Sequence, residues 1–314
     1  MSDRPVKLRS FYGTEVSGTD FWPRPEVVDP LVLSLAKGQS HTLFGLRRIG
    51  KSSVMMEAER LLKARGVAVS AARVEGDSGL EGLFGKLLMG LPSDDLKSRL
   101  LRGIEQARGI AQPVVALAKQ WLGSGGASTS ETDLRAYWPM LSEALRKSFE
   151  ANAQRMVLIM DELPFLIENT LGKNPDAQRL QAARNILATL RDWRRVPHVG
   201  MLVAGSIGLR GVALRHGLDP GAFNDMLAET IQPLDEGEAR LMLKALVAGA
   251  EPELKGWSDA CTELLLRSLP DTHTGLLQLA FQTVALRGAA TPDAIESALL
   301  NHFDPKLSDQ FFGQ

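Results

Sequence analysis

Cysteine is all but missing from this chain. Cys261 is the single one in 314 residues, which excludes an internal disulfide and any cysteine-cluster metal site and fits a reducing cytosol. It is expected as a small buried hydrophobe. An excess of charge of either sign is missing too. Lys plus Arg number 36 against 37 Asp plus Glu, so a surface that is basic overall and built to coat nucleic acid is excluded, though a local basic patch is not. No window approaches the ~18 apolar residues that span a bilayer, and the opening MSDRPVKLRS lacks the apolar core of a signal peptide. The expectation is a cytoplasmic protein with no membrane partner. Repeats, heptads and long charge runs are absent as well. What is present is a globular composition, 44% hydrophobic and 23% charged, in a chain long enough for one large or two ordinary domains, of which two is the expectation.

Before residue 40 the sequence is rich in Gly and Pro and carries Phe11, Tyr12, Phe21 and Trp22, which predicts an extended arm packed on a domain. Regular structure follows. His41 to Phe44 reads as a short strand, and Lys51 to Arg65 as a helix that stops at Gly66. Val67 to Val74 reads as a second strand, followed by a helix through Leu80, Leu83, Phe84, Leu87 and Leu88. Residues 92–128 read as an insertion, a polar helical stretch interrupted by Pro113 and running into the flexible composition LGSGGASTSET. A helix near Asp133 to Phe149 then leads into Met156 to Met160, an unbroken apolar run typical of a central parallel strand. A long helix is predicted over Ala177 to Trp193, a fourth strand over Val199 to Ala204 and a fifth over Glu229 to Leu234. From Asp235 onward only helices are expected, at about 235–249, 257–268, 274–287 and 291–302. Phe303, Phe311 and Phe312 read as packed residues of the tail. Strands alternating with helices imply right-handed crossovers, with the strand C-termini along one edge where ligands bind.

GLRRIGKS, residues 45–52, matches G-x-x-x-x-G-K-S/T between an apolar strand and an amphipathic helix, the context the pattern requires. Gly45 and Gly50 let the loop wrap with its N–H groups inward, and the helix adds its positive end, so a triphosphate would find donors on every side. Lys51 would neutralise the β- and γ-phosphates and Ser52 would hold Mg²⁺, while Ser53 would reach the α-phosphate region. Arg47 and Arg48, inside the loop, are placed to touch phosphate or a partner. MVLIMDE, residues 156–162, would hold Asp161 to Mg²⁺ through water and offer Glu162 as general base for the attacking water. In VAGSIGLR, residues 203–210, Ser206 falls at a strand tip, where it would meet the γ-phosphate or that water. Arg191, Arg194, Arg195, Arg210 and Arg215 are candidates to stabilise transition-state charge across a subunit contact, against the ordinary reading of solvated surface charge. The ligands implied are ATP and Mg²⁺.

FGLRRIGKSSV at 44–54, LIMDELPFLIEN at 158–169 and LVAGSIGLR at 202–210 together resemble the prokaryotic ATPases called archaeal-type ATPases. These belong to the STAND group of signalling P-loop ATPases and are related to the AAA+ proteins. Arg47 and Arg48 reproduce the family's arginine pair before the second loop glycine. FWPRPE, residues 21–26, resembles its upstream F-x-G-R-E element, which helps seat the base; Arg24 and Glu26 carry over, and Pro23 stands where glycine is usual. IQPLDEGEARLML resembles the proline-leucine turn after the last strand. THTGLLQLAF, residues 272–281, resembles the G-x-P-x-x-x-Q element, keeping Gln278 without the proline. The resemblance implies an α/β fold, a three-layer P-loop NTPase sandwich of the ASCE type about a central parallel sheet. Residues 1–40 would be the arm and base-binding segment, 41–234 the ATPase core and 235–314 a helical or winged-helix-like lid. It further implies an ATPase switch that couples nucleotide state to a separately encoded protein partner or effector, or to a homo-oligomer. The alternative is an ATP-dependent DNA-binding loader of the replication or transposition type.

Overall fold

The computed structural model describes residues 7–106, 112–122, 131–152, 154–205 and 207–303. In chain order it holds α1 (Pro25–Leu35), β1 (His41–Phe44), α2 (Lys51–Ala64), β2 (Ala68–Arg73), a π-type turn at Glu81–Gly85, α3 (Lys86–Met89), α4 (Asp94–Gln106), α5 (Gln112–Leu122) and α6 (Glu131–Ala151). There follow β3 (Met156–Asp161), α7 (Leu163–Leu171), α8 (Ala177–Arg194), β4 (Val199–Ala204), α9 (Leu209–Arg215) and β5 (Leu227–Thr230). The last helices are α10 (Glu236–Ala248), α11 (Asp259–Arg267), α12 (Thr274–Ala285) and α13 (Pro292–Ala298). Among the described residues no helix is long and apolar enough to cross a membrane.

Two compact units result, each assembled from separate stretches of chain. One, the sheet unit, comprises residues 29–44 and 58–229; the other, the loop unit, comprises 7–28, 45–57 and 230–303. In the sheet unit the strands are ordered β2-β3-β4-β1-β5. The pairs β2–β3, β3–β4 and β4–β1 are parallel, with Ala71 opposite Ile159, Ile159 opposite Leu202 and Leu202 opposite His41. Every position of β3 and of β4 is buried, as a strand covered on both faces must be. The fold is therefore the expected α/β sandwich, of the AAA+ kind in its strand order, followed by C-terminal helices. On one side its core centres on Phe84, Trp138, Trp193 and Phe149. Phe84 meets Trp138 at 4.4 Å and Trp193 at 5.0 Å between ring centroids, and Trp193 meets Phe149 edge-on at 5.0 Å. Both buried indoles are satisfied, Trp138 Nε1 donating to Thr189 Oγ1 and Trp193 Nε1 to the Ser142 carbonyl, as close-packed aromatic cores require.

The loop unit has a separate core built from α10, α11, α12 and α13, to which Leu8 and Trp22 contribute. Cys261 is free and fully buried there, as its size predicts, and Phe303 packs in the same core; Phe311, Phe312 and the 123–128 part of the insertion lie outside the described residues. Three expectations shift. Residues 25–35 of the arm form a helix, which Pro25 starts and Pro30 does not break. The fifth strand is Leu227–Thr230, not Glu229–Leu234; it is largely exposed, so apolar content could not mark it. Helices α7 and α9 were not anticipated, since the Asp-Glu and Gly-Ser signals before them read as strand ends.

One buried histidine pins the start of this sheet. His41 is 2% exposed; its Nε2 and Ser34 Oγ on α1 are 2.6 Å apart and hydrogen bonded, and Glu229 on β5 brings a carboxylate oxygen to 3.5 Å from Nδ1. Burial holds the imidazole below its ordinary pKa, against the pull of Glu229. Such a histidine binds fewer protons folded than unfolded, so stability is present above the unfolded value of about 6.5 and is lost as pH falls below it. Thermal melts are expected to show a lower Tm at pH 5.5 than at pH 7.5, with a shallower slope in His41→Gln; an identical slope in that variant would place the acid sensitivity elsewhere.

Candidate phosphate-binding site

β1 ends at Phe44 and the chain turns at once into residues 45–50, before α2 begins at Lys51. In the loop unit this turn is closed on itself. Lys51, only 6% exposed, arches back so that Nζ donates to the Gly45 and Leu46 carbonyls, at 3.0 Å each. Gly50 has φ +101°, and a β-carbon there would stand 3.2 Å from Thr274 Oγ1. Arg48 adopts φ +64°, a left-handed conformation that costs a non-glycine residue roughly 1–2 kcal/mol. Its guanidinium lies over the Tyr12 ring, 4.9 Å from the centroid, while Arg47 is exposed. Ser52 and Ser53 are in the first turn of α2, where the helix's positive end favours an anion. Ser53 Oγ accepts from the Val16 N–H at 3.2 Å, and one turn on Glu57 Oε2 accepts from Gly18 N–H at 2.8 Å. The arm thus runs across the start of α2.

Arg24, expected at the base, is 5% exposed, and its Nη1 donates to the Gln232 carbonyl at 2.7 Å. Burial lowers its pKa against Glu26 and Glu238. The contact ties the arm to the segment before α10, a role that no local pattern separates from base binding. Gln278, kept from the resembled element, is likewise used internally: its Oε1 accepts from Ser10 Oγ at 2.9 Å and from Phe11 N–H at 3.1 Å.

In the sheet unit, parallel pairing places the C-terminal ends of β1, β3 and β4 on one edge. Asp161 is the last residue of β3 and is 9% exposed. Glu162, next, has φ +60° and ψ +33°, and its carbonyl accepts from Phe165 and Leu166 N–H at 3.1 and 3.3 Å. One left-handed residue converts the strand into α7 without a loop. Arg48 and Glu162 are the non-glycine residues with positive φ among those described, and such strain gathers where the surroundings over-determine a functional geometry. Ser206 lies outside the described residues.

Four of the five candidate arginines are committed within the sheet unit. Arg194, 8% exposed, donates to both carboxylate oxygens of Asp225, at 2.6 and 3.3 Å, and to the Ala222 carbonyl at 2.6 Å, over the Phe223 ring. Arg191 pairs with Asp219 at 3.3 Å, Arg195 with Asp192 at 3.6 Å, and Arg215 with Glu168. Arg194 in particular is corrected from surface candidate to buried clamp: its fork fits a carboxylate and a carbonyl at once. Arg210 on α9 is exposed, and its side chain has no hydrogen bond or ion pair among the described residues.

No family model matches the chain. No curated protein matches it. Among solved structures it is similar to the Aeropyrum pernix ORC2 protein in its ADP form, at 13% identity over 95% of this chain and 70% of that one, TM-score 0.51. It is also similar to the Aeropyrum pernix ORC1 protein in complex with DNA (18% identity, 90% of this chain, 66% of that one, TM-score 0.48) and to AMPPCP-bound DnaA from Aquifex aeolicus (11%, 92%, 68%, TM-score 0.48). The chain thus spans just under two thirds of the ORC1 chain. At these identities the likeness is one of fold.

The strain at the strand tip can be measured. Glu162→Gly relieves the left-handed cost and adds back part of it as unfolded-state entropy, so the protein is expected to gain about 1 kcal/mol, seen as a Tm higher by a few degrees. A lower Tm would show that the Glu162 side chain contributes more to stability than its backbone costs.

Proposed function

We propose that the chain is an ATP-binding and ATP-hydrolysing switch, with residues 45–53 as the phosphate loop and Asp161 and Glu162 as its acidic half. The observation that carries this reading is the loop itself: a G-x-x-x-x-G-K-S run directly after β1 of a β2-β3-β4-β1-β5 sheet, closed by the buried Lys51 and opening a helix. The strand leading into the loop and the strand ending in Asp161 point the same way with β4 between them, so both motifs leave the sheet at one edge. In this reading Lys51 exchanges its two carbonyl partners for phosphate oxygens, and the N-terminus of α2 favours the anion. The donor set fits Mg²⁺: Ser52 and Asp161 offer one hydroxyl and one carboxylate oxygen, the hard ligands that ion takes beside phosphate and water. When bound, Mg²⁺ supplies neutralisation of phosphate charge. Glu162 orients and deprotonates the attacking water. By its place in the sequence Ser206 would serve the γ-phosphate or the attacking water, and Arg47, Arg48 and Ser53 complete the cradle. Arg24 supports the base segment through Gln232. Arg210, the uncommitted arginine, serves a neighbouring copy's site, which makes turnover depend on assembly.

Two outputs are open to such a switch, a separately encoded protein partner, as in the STAND ATPases, or DNA. The likeness of fold to the ORC2 protein favours the second, an ATP-dependent DNA-binding loader. ATP-dependent, salt-sensitive binding to duplex DNA supports it, and no DNA binding at low salt returns the reading to the protein-facing switch.

Equilibrium binding and steady-state hydrolysis test the core of the proposal. Lys51→Ala is expected to abolish nucleotide binding. Glu162→Gln should retain binding while turnover falls by about 10²- to 10⁴-fold, the range for loss of a general base; equal turnover in Glu162→Gln and the unaltered protein would remove the hydrolytic role.

A further inference from the structure

An anion cradle works only if the loop's N–H groups face inward, and each amide turned inward sends a neighbouring carbonyl outward, where it needs a donor. The donors for this loop come from two places. The Gly45 and Leu46 carbonyls take theirs from inside the motif, from Lys51 Nζ and, for Leu46, also from Ile49 N–H at 3.3 Å. The Arg48 and Ile49 carbonyls take theirs from far along the chain, in the first turn of α12: Gly275 N–H donates to Arg48 O at 3.1 Å and Thr274 Oγ1 donates to Ile49 O at 2.9 Å. All these residues belong to the loop unit.

The approach is close enough to dictate residue type. A β-carbon on Gly275 would stand 2.3 Å from Arg48 O and 2.7 Å from Arg48 Cβ, so only glycine lets α12 come this near. The step is itself anchored on both sides: Thr272 Oγ1 donates to the Leu234 carbonyl at 2.5 Å, and the buried His273 caps the helix, accepting from Leu276 N–H. Arg48 is then held at three points, its left-handed backbone by Gly275, the next carbonyl by Thr274, and its guanidinium by Tyr12. This division matters because the first pair of bonds is spent when Lys51 turns to phosphate, whereas the second pair is not.

We propose that Thr274 and Gly275 are positioning residues of the phosphate loop, which keep its second half open and so set its affinity for ATP. The inference rests on the reading of residues 45–53 as an ATP site. It assigns a function to the THTG run that its likeness to a known element, carried by Gln278, leaves unassigned.

The test is titration of the full chain with a fluorescent N-methylanthraniloyl-ATP in the presence of magnesium, paired with thermal melts without nucleotide. Thr274→Ser keeps the hydroxyl and is expected to bind as the unaltered protein does. Thr274→Val removes it and should weaken binding about tenfold, or about 1.4 kcal/mol. Thr262→Val is the control. Thr262 is 2% exposed in the same unit and its Oγ1 accepts from Trp257 Nε1 at 3.0 Å, away from the loop, so this variant should lower Tm and leave affinity unchanged. Should Thr274→Val not fold, Tyr12→Leu, in the arm, removes the ring from Arg48 and is expected to weaken binding several-fold. Equal affinity in Thr274→Val and the unaltered protein, equal weakening in Thr274→Val and Thr262→Val, or unchanged affinity in Tyr12→Leu where it alone folds overturns the inference, while loss of binding in Lys51→Ala leaves the ATP reading standing. No binding by the unaltered protein overturns both.

Discussion

A parallel ladder obliges every strand in it to end on the same edge, and that constraint organises this protein. β3, β4 and β1 share one register, so wherever the chain leaves the sheet at a C-terminal end it leaves on one side. Residues 45–50 follow β1 and the Asp161–Glu162 pair closes β3. β1 and β3 need no contact of their own to end at the same edge; the backbone hydrogen bonds of β4 between them do it. Burial of all six positions in β3 and in β4 secures the register, because a slip by one residue would exchange the two faces of a strand packed on both.

Local backbone strain falls at two points of this scaffold among the described non-glycine residues. Arg48 and Glu162 both take left-handed backbones, Arg48 within the turn that follows β1 and Glu162 at the residue where β3 becomes α7 in a single step. Glycine would adopt these angles at no cost. The surroundings offset the strain at Arg48 with bonds to its own and the next carbonyl, and at Glu162 with the first-turn amides of α7.

Charge is disposed as geometry allows and not as the linear sequence suggests. Arg191, Arg194 and Arg195 form a cluster in sequence, yet each has its own acidic partner, and Arg194 is buried on Asp225 and the Ala222 carbonyl. A buried guanidinium without such partners would be prohibitively costly. Arg24 follows the same rule, its guanidinium drawn to the Gln232 carbonyl. The near-neutral net charge therefore describes a surface laced with pairs, not one without fields.

How much was legible depended on how local the signal was. β1 and β4 have the bounds their apolar runs predict, and α2 starts at Lys51 as the loop pattern requires, because strand, loop and helix are contiguous and their hydrophobic periods differ. β5 was misplaced since an edge strand with exposed residues has no apolar period, and α1 was hidden by its own prolines. By itself, then, the sequence determined the fold class, the glycine-bounded turn between β1 and α2 and the carboxylates at the tip of β3, all written in short runs of neighbouring residues. Only the tertiary structure decided which arginines are already spent, and that Thr274 and Gly275 bond the carbonyls of Ile49 and Arg48. A hydrogen bond across 225 residues leaves no periodicity to read: it is made where the first turn of α12 approaches the loop, and what permits that approach is the missing β-carbon of Gly275.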